Sequence, residues 1–283
     1  MPMNINNPDY QPILIIGAGN MGTSIASGIL AKHWPAKLIT FCEQNHTRHE
    51  ALSSTFPECT IIANPAEIAS PCKIILLAVK PNDMESVCLN LATLDLPANT
   101  LFISIAAGVP VSAFNNWLGN QAIIVRCMPN TPAAIGLGMT GLYSHPNTHS
   151  ADKQLADQIL SSTGKTLWVD KETMLDAVTA LSGSGPAYLF YLMECLQESG
   201  KSLGLDVQDS YTLTLQTMLG AAQLAQQQNI DFETLRANVT SKGGTTEKAI
   251  NCLIQNDMKN IIDSALNAAA TRAGEISQSF TKE

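Results

Sequence analysis

Charged residues are scarce: Asp, Glu, Lys and Arg make up 14% of the 283 residues, well under the roughly 25% of an ordinary soluble domain. Cations are the scarcer sign, 16 Lys and Arg against 24 Asp and Glu, for a formal charge of −8. Displacing counterions from a phosphate backbone needs clustered cation, so nucleic acid is excluded as a partner. Aromatic residues are only 5%, and no stacking platform for bases or sugars is offered. Seven cysteines stand at 42, 59, 72, 88, 127, 195 and 252, no two closer than 13 residues. That spacing excludes a disulfide framework and a zinc module and leaves buried, reduced thiols of a cytoplasmic protein. The five histidines, 33, 46, 49, 145 and 149, lack Cys or carboxylate partners at metal spacing, so no metal is expected. No apolar run approaches the roughly 18 residues of a membrane span. The stretch Met1 to Pro12 carries no Lys or Arg, against the pattern of a secretory signal.

What is present is 45% apolar residues, enough to exclude disorder, and a length that suits two domains. From residue 12 to 169, short apolar runs alternate with helical patterns: 13–17, 37–42, 59–63, 73–79, 100–105 and 122–127. They are apolar on both faces, as parallel strands covered by helices should be. The intervening gaps are 19, 16, 9, 20 and 16 residues; four have room for a crossover helix and the 64–72 gap only for a short one. The expectation is an α/β fold, an N-terminal Rossmann-type doubly wound parallel sheet. A strand near 138–144, a helix near 150–162 and a strand at 165–169 complete it. From 170 to 283 the patterns turn helical (172–181, 186–203, 207–228, 245–256 and 258–278), giving an all-α C-terminal domain. The helix from Pro186 opens Ala187-Tyr-Leu-Phe-Tyr-Leu-Met193, apolar on every side, and such a helix is expected to be buried all round.

Gly17-Ala18-Gly19-Asn20-Met21-Gly22 follows the first strand and opens a helix. The first glycine permits the turn, the second admits a pyrophosphate to the backbone, and the third lets helix and strand pack closely. In that context the motif points to a dinucleotide. Ligands of open sheets bind beyond the carboxyl ends of the strands, which collects Glu43, Asn45 and Arg48 after the second strand and Asn64 after the third. Ala78, Val79, Lys80 and Pro81 follow the fourth, Ala106 and Ala107 the fifth, and Met128, Pro129 and Asn130 the sixth. Glu43 lies 21 residues past Gly22, where an acid accepts ribose hydroxyls of NAD and repels a 2′-phosphate. Asn45, Thr47 and Arg48 hold such a phosphate if the loop turns Glu43 away, so local chemistry leaves NAD and NADP open.

In the helical half, Ser241-Lys-Gly-Gly-Thr-Thr246 precedes a helix. Capping by Gly244 or Thr245, with Glu247 close behind, accounts for one residue. Paired glycines flanked by three hydroxyls go further and suit a small-carboxylate site on the free N–H groups.

The chain resembles the pyrroline-5-carboxylate reductases. The likeness is carried by Gly17 to Gly22, Ala78-Val-Lys-Pro81, Arg126-Cys-Met-Pro-Asn-Thr-Pro-Ala133, Leu181-Ser-Gly-Ser-Gly-Pro-Ala-Tyr188 and, most specifically, Val239-Thr-Ser-Lys-Gly-Gly-Thr-Thr-Glu-Lys-Ala-Ile250. It departs from the family at Lys242, often Pro there, at Glu43, and at Asn229, near where many members have Glu. The resemblance implies hydride transfer from NADPH, with NADH possible, to the C=N bond of the cyclic imine to give L-proline. It implies Thr246 as the hydroxyl on the ring nitrogen, with Ser241, Gly243, Gly244, Thr245 and Asn238 around the substrate. It further implies a homodimer through the helical domain, in some cases a decamer, with the 241–246 loop brought to the cofactor across or beside the subunit boundary. Two alternatives stand beside it. A hydroxyacid dehydrogenase of similar architecture needs a Lys on the interdomain helix, and none lies between Ser182 and Glu194. A non-catalytic nucleotide-sensing module would not need the 241–246 loop.

Overall fold

Alternate residues along each central strand go to opposite cores. In the computed structural model, which describes residues 10–68, 72–120 and 122–280, strands β1 (Ile13–Ile16), β4 (Ile74–Leu77) and β5 (Leu101–Ser104) are buried at every position. Ile13, Ile15, Ile74, Leu76, Leu101 and Ile103 enter one core with Ile25, Ile29 and Trp34. Leu14, Ile16, Ile75, Leu77 and Phe102 enter the other with Met84, Leu91 and Phe114. Each such side chain contributes roughly 1.5–3 kcal/mol by leaving water. That two-sided burial is why the strands read as unbroken apolar runs.

The sheet order is β3-β2-β1-β4-β5-β6-β7-β8, with β2 at Ile39–Cys42, β3 at Thr60–Ile62, β6 at Ile123–Met128, β7 at Gly138–Ser144 and β8 at Gly164–Trp168. Helices α1 (Asn20–Ala31), α2 (His49–Thr55), α3 (Met84–Ala92) and α4 (Val111–Leu118) fill the four long gaps, and the short one holds a 3-10 turn at Pro65–Glu67. The chain leaves β1 toward β2 on one side and β4 on the other. This is the switch point, and it opens a crevice beyond the strand ends. β7 runs antiparallel to β6, Arg126 facing Tyr143, so the sheet is not wholly parallel. Only residues 129–137 join the two strands, too few for a crossover. Helix α5 (Ser150–Leu160) then returns the chain to β8, parallel to β7.

The C-terminal half is helical: α6 (Met174–Val178) continuing as a π-helical turn Thr179–Gly183, α7 (Gly185–Ser202), α8 (Val207–Gln228), α9 (Phe232–Asn238), α10 (Thr245–Gln255) and α11 (Met258–Ser279). Asn229 ends α8 in the left-handed region, φ 50°, a conformation Asn tolerates. Two compact units result, residues 1–184 with 269–283, and 185–268. They divide the chain differently from the expected 169/170 boundary. Segment 170–184 belongs with the sheet because Glu172 bonds Arg126 and Val178 packs against Gly141. The end of α11 belongs there because Ile276 seats on Gly108 and the ring of Phe280 meets Trp117 edge-on at 6.3 Å.

The second unit differs in kind. Helix α7, expected to be buried, has no buried residue in the single chain; Leu189, Phe190 and Tyr191 are 51%, 64% and 67% exposed. A groove of about 610 Å³ lined by Leu189, Met193, Leu215, Met218, Phe232 and Leu235 runs along it. Cys195 and Cys252 are likewise exposed, against the expectation of buried thiols, whereas Cys42, Cys72, Cys88 and Cys127 are buried. Among the described residues no helix is long and apolar enough to cross a membrane.

Candidate functional site

The turn after β1 is glycine-dependent at its first and third positions. Gly17 has φ +91°, and a Cβ built there would stand 2.7 Å from the carbonyl oxygen of Ala78; one on Gly22 would stand 2.4 Å from that of Gly17. Beside Gly19 there is nothing within 4 Å, so its bare face is open to a ligand. Gly19 is also the N-cap of α1, with no side-chain cap and no acid in the first turn. Thr23 is the first residue to bond back, to the Gly19 oxygen at 3.0 Å. The N–H groups of Asn20, Met21 and Gly22 therefore face outward at the positive end of the helix. A dinucleotide pyrophosphate fits these features.

A cleft of about 390 Å³ lies at the ends of β1, β2 and β4. From the sequence-derived set it is lined by Gly17, Gly19, Glu43, Arg48, Ala78, Val79 and Lys80. The cleft adds Gln44, Pro65, Asp83, Ser86, Val87 and Asn90, which the sequence reading did not select. Ser86 and Asn90 stand four apart on one face of α3, a spacing that a search confined to loops passes over.

Glu43 is folded back into the cleft. Its Oε2 accepts the N–H of Ala18 at 3.2 Å and its Oε1 that of Asn45 at 3.0 Å. Arg48 lies 3.6 Å from Oε2 and donates to the Ala18 carbonyl at 2.7 Å. The His49 ring meets the Glu43 carbonyl oxygen at 2.6 Å. Asn45 is occupied in its own turn, its Oδ1 accepting from both Thr47 N–H and Thr47 Oγ1. Asn64 is likewise spent: it forms a capping box with Glu67 around the 3-10 turn. Burial, with Glu67 and Glu43 nearby, pushes the Cys42 thiol up to about 11, so it stays protonated in the cleft.

The loops after β5 and β6 do not line this cleft. Gly108 takes φ +78° beneath Ile276, and Met128 packs on Gly183. Asn130 is a tie: its Nδ2 donates to Ser182, and its Oδ1 accepts the N–H of Met139 at 2.9 Å. Arg126 donates to Glu172 at 2.5 Å across 46 residues, a pairing that no local spacing announces.

In the helical unit, Asn238 closes α9 and the 241–246 turn leads into α10, whose N-cap is Gly244. Gly243 takes φ +75°. Its N–H donates to Glu247 Oε2 at 2.8 Å, and that of Gly244 donates to the Ser241 oxygen at 3.1 Å. Of the Gly243, Gly244 and Thr245 amides expected to be free, the two glycine N–H groups are used within the turn and Thr245 is not; the free amides are those that open α10, at Thr245, Thr246 and Glu247. Thr246 is half-buried and Ser241 and Thr245 are exposed. Among the described residues no three His, Cys, Asp or Glu gather to hold a metal.

A doubly wound sheet with a glycine-rich anion cradle at its switch point, joined to a helical unit, defines a two-domain dinucleotide-dependent oxidoreductase. Residues 12–108 match the family model for F420-dependent NADP oxidoreductases, and residues 172–276 that for pyrroline-5-carboxylate reductase dimerisation. A pyrroline-5-carboxylate reductase of Pseudomonas aeruginosa is 41% identical over 94% of this chain and 97% of its own length. The solved structure of the Coxiella burnetii pyrroline-5-carboxylate reductase superposes with a TM-score of 0.89 at 36% identity, covering 94% of this chain and 98% of that one. The Plasmodium falciparum pyrroline carboxylate reductase, solved with NADP bound, gives 0.82 at 28% identity, covering 95% of this chain and 99% of that one. The chain belongs to the pyrroline-5-carboxylate reductase family, oxidoreductases that act on a CH–NH bond with NAD(P), and its helical C-terminal part carries the family's dimerisation domain.

Proposed function

We propose that this protein reduces the C=N bond of 1-pyrroline-5-carboxylate to L-proline, the last step of proline synthesis, with NADPH preferred over NADH. The observation that carries the reading is the start of α10, where free amides and the Thr246 hydroxyl stand together behind a turn that Gly243 makes at φ +75°. When bound, the reduced nicotinamide supplies the hydride. The chain's own residues bind and orient. Asn20, Met21 and Gly22 hold the pyrophosphate by their N–H groups, and Lys80 stands at the edge of the cleft. The Thr245, Thr246 and Glu247 amides hold the substrate carboxylate. The Thr246 hydroxyl bonds the ring nitrogen; a Thr hydroxyl is a weak acid, so its part is to orient the imine and relay a proton from water. Positioning then supplies most of the gain, because a protonated imine is already electrophilic.

For the cofactor, Glu43 has both oxygens committed to backbone N–H groups and Arg48 beside them. That leaves the exposed Arg48, whose guanidinium has N–H groups beyond the one given to Ala18, to meet a 2′-phosphate. Rates with NADPH and NADH, repeated in Glu43→Ala, test this: the variant is expected to gain on NADPH relative to NADH by about 3- to 10-fold. Equal ratios in both proteins remove Glu43 from cofactor choice.

The sheet unit then serves as the dinucleotide domain and the helical unit 185–268 as the substrate and assembly domain, acting as a homodimer and further as a decamer. Turnover of pyrroline-5-carboxylate decides among the readings. Oxidation of 2- or 3-hydroxyacids in its place would favour a hydroxyacid dehydrogenase. NADPH binding without turnover of any of these substrates would favour a sensing module.

A further inference from the structure

Among the described residues, Arg126 with Glu172 is the most buried ion pair, the two side chains 7% and 28% exposed. Stability alone gives little reason for it, since buried pairs replaced by apolar residues often cost nothing. Its connections are more telling. The same Glu172 Oε1 that meets Arg126 at 2.5 Å also accepts the N–H of Val111 at 2.7 Å. Val111 is the first residue of α4, whose N-cap, Pro110, has no side-chain cap of its own. Glu172 thus supplies the anion for that helix terminus and sets the turn Ala106–Pro110 that runs into it. Arg126 lies two residues before the end of β6 at Met128, where the second loop starts, and its Nε is buried without a partner. Ten residues after Glu172, Ser182 receives Asn130 of that second loop through its carbonyl and its hydroxyl, at 3.2 and 3.3 Å. One short segment therefore grips the loops after β5 and β6 at two separate points. The cleft with Glu43 lies at the ends of β1, β2 and β4, and the loops after β5 and β6 continue the same strand-end edge past it; with the adenosine at Glu43, that continuation is the nicotinamide side of the crevice.

We infer that segment 172–182 is a clamp on the nicotinamide side of the cofactor crevice, and that Glu172 is a positioning residue for hydride transfer. The inference rests on the proposed reductase reading. Glu172→Ala removes both bonds, whereas Glu172→Gln keeps an acceptor for Val111 and loses the charge. In the full-length enzyme the Ala variant is expected to lose kcat by about 10- to 100-fold, with the KM for pyrroline-5-carboxylate within about 3-fold. NADPH affinity, read by quenching of its fluorescence and independent of turnover, is expected to weaken about 10-fold, with the Gln variant between Ala and wild type. Should the Ala variant fail to fold, the Gln variant decides by itself. Variants that melt earlier yet keep kcat and NADPH affinity would make the pair structural and overturn the clamp. If the wild-type protein binds NADPH and does not reduce the imine, the reductase reading fails, and the NADPH titration still tests the clamp.

Discussion

The sheet unit and the helical unit use the same apolar vocabulary to opposite ends. In the first, β1, β4 and β5 are buried at every residue and two cores close around them. In the second, α7, α9 and α10 have no buried residue and α8 has only Ser210. A helix with no polar face and no cover is half of an interface. The sheet unit satisfies its own residues, and the helical unit, which carries the family's dimerisation domain, leaves its apolar faces uncovered in the single chain. An apolar run in sequence says that a surface must be covered, not by which chain.

The sharpest way to break this contrast is a charge in the α7 groove. Leu189→Glu is expected to cost the oligomer several kcal/mol of association and the activity with it, leaving the sheet unit folded. Light scattering and circular dichroism read the two parts. A stable, fully active dimer in this variant would place the interface elsewhere.

Next in size is Thr246→Ala. Loss of one hydrogen bond felt near the transition state is expected to lower kcat by about 10- to 100-fold, roughly 1–3 kcal/mol, with NADPH affinity little changed. Unchanged turnover removes Thr246 from the reaction.

On the sheet side, Gly19→Ala places a methyl in the open space beside the α1 terminus. Nothing there opposes it sterically, so thermal stability should hold while NADPH affinity falls about 10-fold. A loss of stability with affinity intact would mean that Gly19 serves the fold.

The smallest effect concerns Asp176. Burial raises its carboxyl above the usual value of 3.8, with Arg126 working against the shift and Glu172 adding to it. The native state thus holds its proton more tightly than the unfolded chain, and stability falls as pH rises through the window above 3.8. Asp176→Asn is expected to melt higher than wild type at pH 7, and the gap should close on acidification. A gap constant with pH would assign the effect to packing.

Much of this architecture is legible in the residues. The strand runs are apolar because both sheet faces are covered, and the break at Lys242-Gly-Gly is a real turn because Gly243 takes positive φ. The antiparallel β7 was not legible as such, since a strand's direction depends on the length of its connection and on what it pairs with. Helix α9 is only Phe232–Asn238, opened by Asp231 accepting the N–H of Thr234 at 2.8 Å. Seven residues give too short a period to stand out. Within the site, glycine positions were readable because conformation is local. The pose of Glu43, the internal use of Asn64 and Asn130, and the Arg126–Glu172 bond were not, because each depends on a partner chosen by the tertiary fold.

The bond from Gly243 N–H to Glu247 bears on what the substrate meets. Loops that bind small carboxylates often order around them, and each residue fixed on binding costs roughly 1–2 kcal/mol of conformational entropy. Here a carboxylate of the chain itself already sits at the mouth of the turn and holds Gly243 in its left-handed state. The glycine freedom that makes the turn possible is spent during folding, so the ligand is not charged with it. The amides that open α10 are thus already aimed before any ligand arrives, which is the arrangement the proposed carboxylate site requires.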